Sequence, residues 1–193
     1  ALAVSSTPGV VFTDQDFAPA RWQATAAISP GSPTFTHEEA QSAADGHPGA
    51  YRAMTVQIAP GSGVSTVTHL SLVSTYDPSV QGAIRALDHA EDCILLQPSY
   101  STSVDSAAFI EQNGRRYLAI ESATCGRTGW SGLAVNSLQP QDFRLYDGPA
   151  CGANESCPDF SAAGAPLRLG YLRRANGAPG ETLQHGIDNW KIT

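Results

Sequence analysis

Short apolar segments of strand length follow one another along almost the whole sequence, and they constrain the fold more than any other feature. In the segment 51–58, Met54 and Val56 fall on one face and polar residues on the other, which is the period of a half-buried strand. Asn113 and Gly114 separate two apolar runs, and this dipeptide favours a tight β-hairpin because both turn residues take positive φ. No regular strand–helix alternation is present, so the pattern excludes a parallel α/β sheet.

The pattern predicts an all-β fold, an antiparallel two-sheet β-sandwich in a single domain spanning residues 1–193. The predicted strands are 10–12, 22–28, 51–58, 64–75, 83–87, 93–96, 107–112, 116–122, 143–146, 167–172 and 186–192. We expect the last strand to pair near the first, with Trp22 and Trp190 packed across that closure. Residues 1–11 are expected to form a flexible N-terminal segment.

One short helix is predicted at residues 34–44. Thr36 is a suitable N-cap, and Glu39 three residues later completes a capping box. The remaining turns and strand ends are rich in Gly, Pro, Ser and Thr.

Charge and hydropathy argue against nucleic acid, anionic membranes and a membrane-spanning helix. The sequence has 18 acidic and 11 basic residues and a net charge of −7, so nucleic acid and anionic membranes are not favoured partners. No apolar run approaches the roughly 18 residues of a membrane-spanning helix. Calcium is compatible with the acidic balance because carboxylates are hard oxygen ligands.

The four cysteines predict disulfides and therefore an oxidising compartment. Of the three connectivities, we favour Cys93–Cys125 and Cys151–Cys157, the second closing a short turn-rich loop. The absence of a Cys-x-x-Cys pair argues against a zinc site. The sequence begins Ala-Leu-Ala, which is typical of a mature end after signal-peptide removal, so we expect secretion.

Six phrases occur in order along the chain: Gly46-His47-Pro48-Gly49-Ala50-Tyr51-Arg52, Tyr76-Asp77-Pro78, Gly82-Ala83-Ile84, Gln112-Asn113-Gly114, Pro158-Asp159-Phe160-Ser161 and Gly186-Ile187-Asp188-Asn189-Trp190. In this order they resemble an uncharacterised family of bacterial secreted domains with a concanavalin A-like (LamG-type) jelly roll, over about residues 16–193. The resemblance implies two curved sheets with a concave face that holds sugar in relatives.

The resemblance also implies a structural calcium near the paired termini. Its candidate ligands are Asp14 or Asp16, the backbone near Asp45 and Gly46, and Asp188. An alternative for Asp188 is a turn cap formed with its own backbone.

Binding of a sugar requires an aromatic platform with planar polar groups beside it. Trp130, in a Gly-rich loop, is the first candidate, with Arg127, Tyr100 and Tyr76 as weaker ones. The alternative for Trp130 is packing over a sheet edge.

Catalysis is less well supported, because the Glu-x-Asp-x-x-Glu pattern of sandwich glycosidases is absent. Its closest counterpart is the segment 88–92, where Asp88 and Asp92 would share a face; we predict a solvated acidic bend there, with a metal- or ligand-binding role and a catalytic role as the alternatives.

Three functions remain open. The first is a secreted, non-catalytic recognition module for a glycan or cell-surface polymer. The second is a structural subunit that self-associates, with residues 1–11 as a donor strand. The third is a polysaccharide hydrolase or lyase on the same fold.

Overall fold

The computed structural model describes residues 9–27, 34–97, 102–127, 129–146, 148–152 and 157–193. The described strands are β1 (Phe12–Asp14), β2 (Trp22–Ala26), β3 (His37–Gly46), β4 (Gly49–Gln57), β5 (Val64–Tyr76), β6 (Leu87–Leu95), β7 (Ser103–Gln112), β8 (Arg115–Ala119), β9 (Ala123–Thr124), β10 (Ser131–Leu138), β11 (Phe143–Leu145), β12 (Leu167–Asn176) and β13 (Thr182–Ile192). One short helix, α1 (Pro78–Gln81), and 3-10 turns at Pro19–Arg21 and Pro140–Asp142 complete the described elements.

The strands form two antiparallel sheets, as predicted. The six-stranded sheet has the order β10-β6-β13-β4-β3, with β1 paired to β13. The seven-stranded sheet has the order β11-β8-β7-β12-β5-β2, with β9 paired to β7. Side chains from the inner faces of the two sheets fill the space between them, which is the arrangement of a β-sandwich.

Aromatic packing closes the sandwich where the chain ends meet. β1 pairs with β13 in the register Phe12↔Ile192, and the rings of Trp22 and Trp190 meet edge to face at 5.0 Å. The indole N–H of Trp22 donates to Oδ2 of Asp14 at 2.8 Å. Both sequence predictions for this region, the terminal strand pairing and the Trp22–Trp190 contact, are confirmed.

The Asn-Gly hairpin is also confirmed. β7 and β8 pair up to Gln112↔Arg115, and Asn113 and Gly114 take φ angles of 52° and 69°. Glycine and asparagine tolerate this left-handed region better than other residues, so the turn chemistry determines the register.

The helix predicted at residues 34–44 is wrong, because this segment forms edge strand β3. It pairs with β4 in the register His37↔Val56 and Glu39↔Met54. Residues two apart in a strand share a face, and Glu39 therefore forms an ion pair with His37 at 2.7 Å instead of capping a helix. Pairing along the length of β4 outweighs a weak local helix preference. The one described helix lies at Pro78–Gln81, capped by the side chain of Asp77.

The acidic segment 88–92 is strand, not a bend. It lies within β6, which is hydrogen-bonded to β10 on one side and to β13 on the other. Burial alternates strictly along β6, so Asp88 and Asp92 share the outer face, as expected, and Glu91 points inward. The interior position of Glu91 is compatible with its charge because Arg173 of β12 lies opposite it.

The Cys93–Cys125 disulfide is present and connects β6 to the segment after β9. The Cys151–Cys157 pair stays a prediction: both residues are half-buried, and residues 153–156 lie outside the described residues. Residues 1–8, the main part of the predicted flexible or donor segment, also lie outside them.

Candidate carbohydrate-binding surface

The outer face of the six-stranded sheet carries a shallow floor of small residues. Ala90 of β6 faces Ala134 of β10, and Gly132 faces Asp92 across the same ladder. Lys191 of β13 lies on the other side of Ala90. Opposite residues in an antiparallel ladder share a face, so the small side chains leave an open strip between charged ones.

Trp130 stands at one end of this floor, directly before β10. Its indole N–H donates to the carbonyl of Asp45 at 3.0 Å. Its ring lies edge-on to Tyr51 at 5.3 Å and nearly parallel to the imidazole of His47 at 6.4 Å. Trp130 is half-buried, so one part of the indole is fixed by these contacts while another part faces solvent.

Two glycines allow the aromatic and loop residues to approach the sheet. A Cβ on Gly186 would lie 2.9 Å from ring carbons of Tyr51, so glycine is needed for Tyr51 to lie across β13. A Cβ on Gly46 would lie 2.6 Å from the carbonyl of Gly49 and 2.8 Å from Oδ2 of Asp188. Glycine is the residue used where backbone and side chain approach this closely.

Two aspartates face each other across β6 and β13 and serve different purposes. Asp188 is fully buried: its Oδ2 accepts from the amide of His47 at 2.5 Å and its Oδ1 from the amide of Asn189 at 2.7 Å. Asp92 is partly exposed, and its Oδ2 lies 3.1 Å from Nδ1 of His47 and accepts from the side-chain amide of Asn189 at 2.7 Å. Gly132 places no side chain over the other oxygen of Asp92.

The site also contains left-handed backbone at residues other than glycine. Asn189 has φ of 49° at a bulge in β13, and Asp45, which accepts from Trp130, has φ of 69°. Bulges and such conformations redirect side chains and often occur at binding sites. Here they direct Asn189 onto Asp92 and the carbonyl of Asp45 onto the indole.

The disulfide clamps the base of the loop that carries Trp130. Cys125 and Ser131 bracket this loop, and both contact Cys93: the first covalently, the second as its cross-strand neighbour in β10. The hydroxyl of Ser131 donates to the carbonyl of Cys93 at 3.3 Å and accepts from the amide of Gly126 at 2.9 Å. The position of Trp130 is therefore defined from its two flanks.

The predicted ligand-binding residues lie in different places. Arg127 shares the loop of Trp130, is exposed, and donates from Nη2 to the carbonyl of Thr102 at 2.7 Å. Tyr76 ends β5 in the other sheet, where its hydroxyl donates to the carbonyls of Gln81 and Gly82. The structure therefore does not bring Tyr76 to Trp130. Tyr100 lies outside the described residues.

The predicted calcium ligands have other contacts. Asp14 accepts from the amides of Asp16 and Phe17 and from Trp22, and the carbonyl of Asp16 accepts from Gln41. The described residues contain no group of three or more His, Cys, Asp or Glu arranged to hold a metal. Calcium at Asp16 and Asp188 stays a prediction.

Asp88 and Asp92, the acidic pair considered for catalysis, have different contacts. Oδ1 of Asp88 accepts from the amide of Ser137 at 2.6 Å, at the irregular end of the β10 ladder. Asp88 therefore supports the backbone of β10, and Asp92 alone of this pair contacts the Trp130 surface.

Four contributing residues were not among the predicted site residues: His47, Tyr51, Asp92 and Asn189. Two of the six phrases that carried the family resemblance, 46–52 and 186–190, contain three of them and meet at this surface. The other four phrases meet elsewhere: Gln112 bonds the carbonyl of Asp159, and the amide of Ile84 bonds the carbonyl of Phe160. The phrases thus mark two points of contact between distant loops, and only one of these points carries Trp130.

The fold places the chain among jelly-roll β-sandwiches of the kind seen in carbohydrate-binding modules. No family model matches the sequence, and no curated protein matches it. In the part of the chain that the structure describes, no helix has the length and hydropathy to span a membrane.

Solved structures of such modules are similar over nearly the whole chain. The family 11 carbohydrate-binding module of the cellulosomal cellulase Lic26A-Cel5E of Clostridium thermocellum has a TM-score of 0.56 at 10% identity, covering 96% of this chain and 95% of that one. The family 11 module from Clostridium thermocellum in complex with a β-1,3-1,4-mixed-linked tetrasaccharide has a TM-score of 0.52 at 12% identity, covering 94% of each chain. TmCBM27, a module that recognises mannan, has a TM-score of 0.54 at 10% identity, covering 95% and 96%. At these identities the similarity establishes the fold.

Proposed function

We propose that the protein is an extracellular, non-catalytic carbohydrate-binding module that binds a glycan at Trp130. The observation that carries the proposal is the fixed, partly exposed indole beside an open strip of small residues. A sugar ring offers an apolar C–H face and hydroxyl groups, so it needs an aromatic surface and polar groups at its edge. Trp130 supplies the first, and Asp92 and Lys191 supply the second.

The strip favours an extended glycan over a single sugar. It continues from Trp130 past Gly132 and Ala134 on β10, and Ala90 borders it on β6. None of these residues projects a long side chain, so several sugar units can lie along β10. This geometry supports polysaccharide as the ligand class.

An extracellular location is part of the same proposal. The Cys93–Cys125 disulfide is typical of proteins exposed to an oxidising environment. Polysaccharides are abundant outside cells; of the solved modules of similar fold, one is in complex with a β-1,3-1,4-mixed-linked tetrasaccharide and another recognises mannan. Membership of the bacterial secreted LamG-type family remains part of this proposal.

The test is retention by soluble polysaccharides in native gels, followed by calorimetric titration of any that bind. The panel contains mixed-linked β-glucan, xylan, mannan and laminarin. We expect at least one polymer to bind wild type, and Trp130→Ala to lose about tenfold or more in affinity, equivalent to about 1.4 kcal/mol. Its melting temperature should change little because the ring is half-exposed.

Leu72→Ala is the matched control, because it removes an exposed apolar side chain, 46% accessible, from the other sheet. It should bind like wild type. Equal binding by Trp130→Ala would show that the platform lies elsewhere. Unfolding of Trp130→Ala would identify Trp130 as a support of the sheet edge. Failure of every polymer to bind wild type would contradict the proposed function for this ligand class.

A further inference from the structure

The space between the two sheets contains a group of polar side chains that the proposed glycan site does not use. We call it the interior polar cluster; each member is at most 4% exposed, and its members are Arg52, His69, His89, Glu91, Arg173 and His185. They come from both sheets: β4, β6 and β13 on one side, β5 and β12 on the other. Buried groups of this kind normally have hydrogen-bond partners, so each one can be checked for its own.

One half of the cluster is well compensated. Nη2 of Arg173 lies 2.7 Å from Oε1 of Glu91, within ion-pair distance though not aligned as a hydrogen bond. Oε2 of Glu91 accepts from Ser106 at 2.9 Å and lies 3.3 Å from Nε2 of His89. Burial opposes the charge of Glu91, but Arg173, His89 and Ser106 outweigh it and lower the pKa of Glu91. Glu91 and Arg173 therefore neutralise each other.

The other half has a positive charge without a carboxylate. Among the described residues, Arg52 forms no ion pair, and Glu39 on the adjacent strand β3 pairs with His37. Nε of Arg52 is buried and has no hydrogen-bond partner. A buried guanidinium N–H without a partner, on a side chain that forms no ion pair, is costly in a protein interior.

Two buried histidines add further unpartnered atoms. Nδ1 of His69 and both ring nitrogens of His185 are buried without a hydrogen-bond partner. His69 stacks on Tyr171 at 4.5 Å, the hydroxyl of Tyr171 approaches the sulfur of Met54 at 3.9 Å, and Met54 is the cross-strand neighbour of His185. These contacts bring His69 and His185 toward one another across the space between the sheets.

The histidines act as neutral donors there. Burial, then the charges of Arg52 and Arg173, lower the pKa of His69 well below its ordinary value. Burial and Arg173 lower the pKa of His185 in the same direction. A neutral imidazole retains one N–H donor, so His69 and His185 each offer one hydrogen without adding charge.

We propose that a small inorganic anion of the halide class binds inside the interior polar cluster, with the unpartnered N–H groups of Arg52, His69 and His185 as its donors. Water would satisfy these donors but would leave the charge of Arg52 uncompensated in a medium of low dielectric. A monatomic anion balances that charge and accepts hydrogen bonds from any direction.

The direct test is anomalous scattering from crystals of the full chain grown in sodium bromide. An anomalous peak within hydrogen-bonding distance of Nε of Arg52 and a ring nitrogen of His69 or His185 is expected. Peaks confined to surface arginines, with water or no density at the cluster, would overturn the proposal.

The solution test is thermal unfolding in sodium bromide or chloride against sodium gluconate at constant ionic strength. A ligand that binds only the folded state stabilises it, and at 100 times the dissociation constant the melting temperature should rise by about 5–10 °C. The rise should saturate with halide concentration. A melting temperature indifferent to halide would contradict an anion in the core.

Arg52→Met tests the location, since it removes the charge while keeping much of the side-chain volume. It should abolish the halide dependence. Arg116→Met is the matched control: its guanidinium pairs with Glu111 on the surface and is 42% exposed, so the dependence should persist. Halide dependence retained in Arg52→Met would assign the anion to another site. If Arg52→Met does not fold, the bromide peak in wild type decides.

Discussion

Glu91 and Asp92 are neighbours in β6, yet the two carboxylates occupy opposite environments. Glu91 is fully buried against Arg173 and Ser106 between the sheets. Asp92 faces outward, contacts His47 and Asn189, and borders the strip beside Trp130. The two-residue period of a strand therefore turns one acidic run into a structural charge and a surface charge. The same residue type should have very different effects when removed from each face.

The largest effect is expected from Glu91→Gln, which keeps the size of the side chain and removes its charge. Arg173 would then be buried without a counter-charge, and breaking a buried ion pair in this way costs about 3–5 kcal/mol. The measurement is the free energy of unfolding in urea at pH 7. A loss of unfolding free energy below about 1 kcal/mol would mean that water solvates the guanidinium of Arg173 in the folded protein.

Acid should weaken the interior before it affects the outer face. Because the pKa values of His69 and His185 are lowered in the folded state, the unfolded chain takes up protons first as the pH falls below about 6.5. The free energy of unfolding keeps its full value above that pH. As the pH decreases further, it should fall by about 1.4 kcal/mol per pH unit for each histidine. Glu91, whose pKa is also lowered, adds a second loss below about pH 4.5.

Urea unfolding at a series of pH values in halide-free sodium gluconate buffer measures this slope, because a halide bound at the interior polar cluster would raise the pKa of both histidines. His185→Phe removes one of the two titrating groups and should reduce the slope between pH 6.5 and 5 by about half. His47→Phe is the control, because the His47 side chain is 60% exposed and stacks on Trp130 at the surface. A pH profile unchanged by His185→Phe would exclude its imidazole as a source of the acid sensitivity.

The smallest effect on stability is expected from Asp92→Asn. Its partners lie at the surface, where such interactions contribute about 0–1 kcal/mol. On the proposed function, glycan affinity should fall severalfold, since an amide replaces the carboxylate that is proposed to accept hydrogen bonds from sugar hydroxyls. Titration with the polymer that binds wild type, beside urea unfolding, separates the two readouts. A stability loss as large as that of Glu91→Gln would remove the contrast between the two faces of β6.

The sandwich could be predicted from the sequence because its signals are local. Strand periodicity and the Asn113-Gly114 turn are read within a few residues, and each predicts its own element. Trp22 and Trp190 could be paired because the terminal strands had to close the sheet. The Cys93–Cys125 pairing followed from assigning the nearer pair, Cys151 and Cys157, to a loop of their own.

The errors arose where pairing between strands overrides local preference. The segment 34–44 has helix-favouring residues, but β4 offers it a full ladder, and an edge strand results. The sequence predicts a solvated bend at 88–92 because acidic clusters usually face water. That rule fails here because Arg173, about eighty residues away in sequence, provides a counter-charge across the interior.

Of the residues at the candidate site, the sequence predicted only Trp130 and Arg127 in the same loop. Trp130 and Arg127 could be named because an aromatic between glycines suggests exposure. His47, Tyr51 and Asn189 converge on Trp130 only through folding, from a loop and two strands that are far apart along the chain. Their spacing in sequence has no period that reveals a shared surface. The interior polar cluster could not be predicted either, because its residues come from five strands and have no common spacing in sequence.

The clamp at the base of the Trp130 loop has a consequence for recognition. Cys93 holds both flanks of that loop, one through its sulfur and one through its backbone. A glycan that binds as proposed meets a Trp130 whose two flanks are already held, so little conformational freedom at these flanks remains to be lost when the two associate. The choice among glycans would then depend on how well the conformation of each polymer complements this preformed surface.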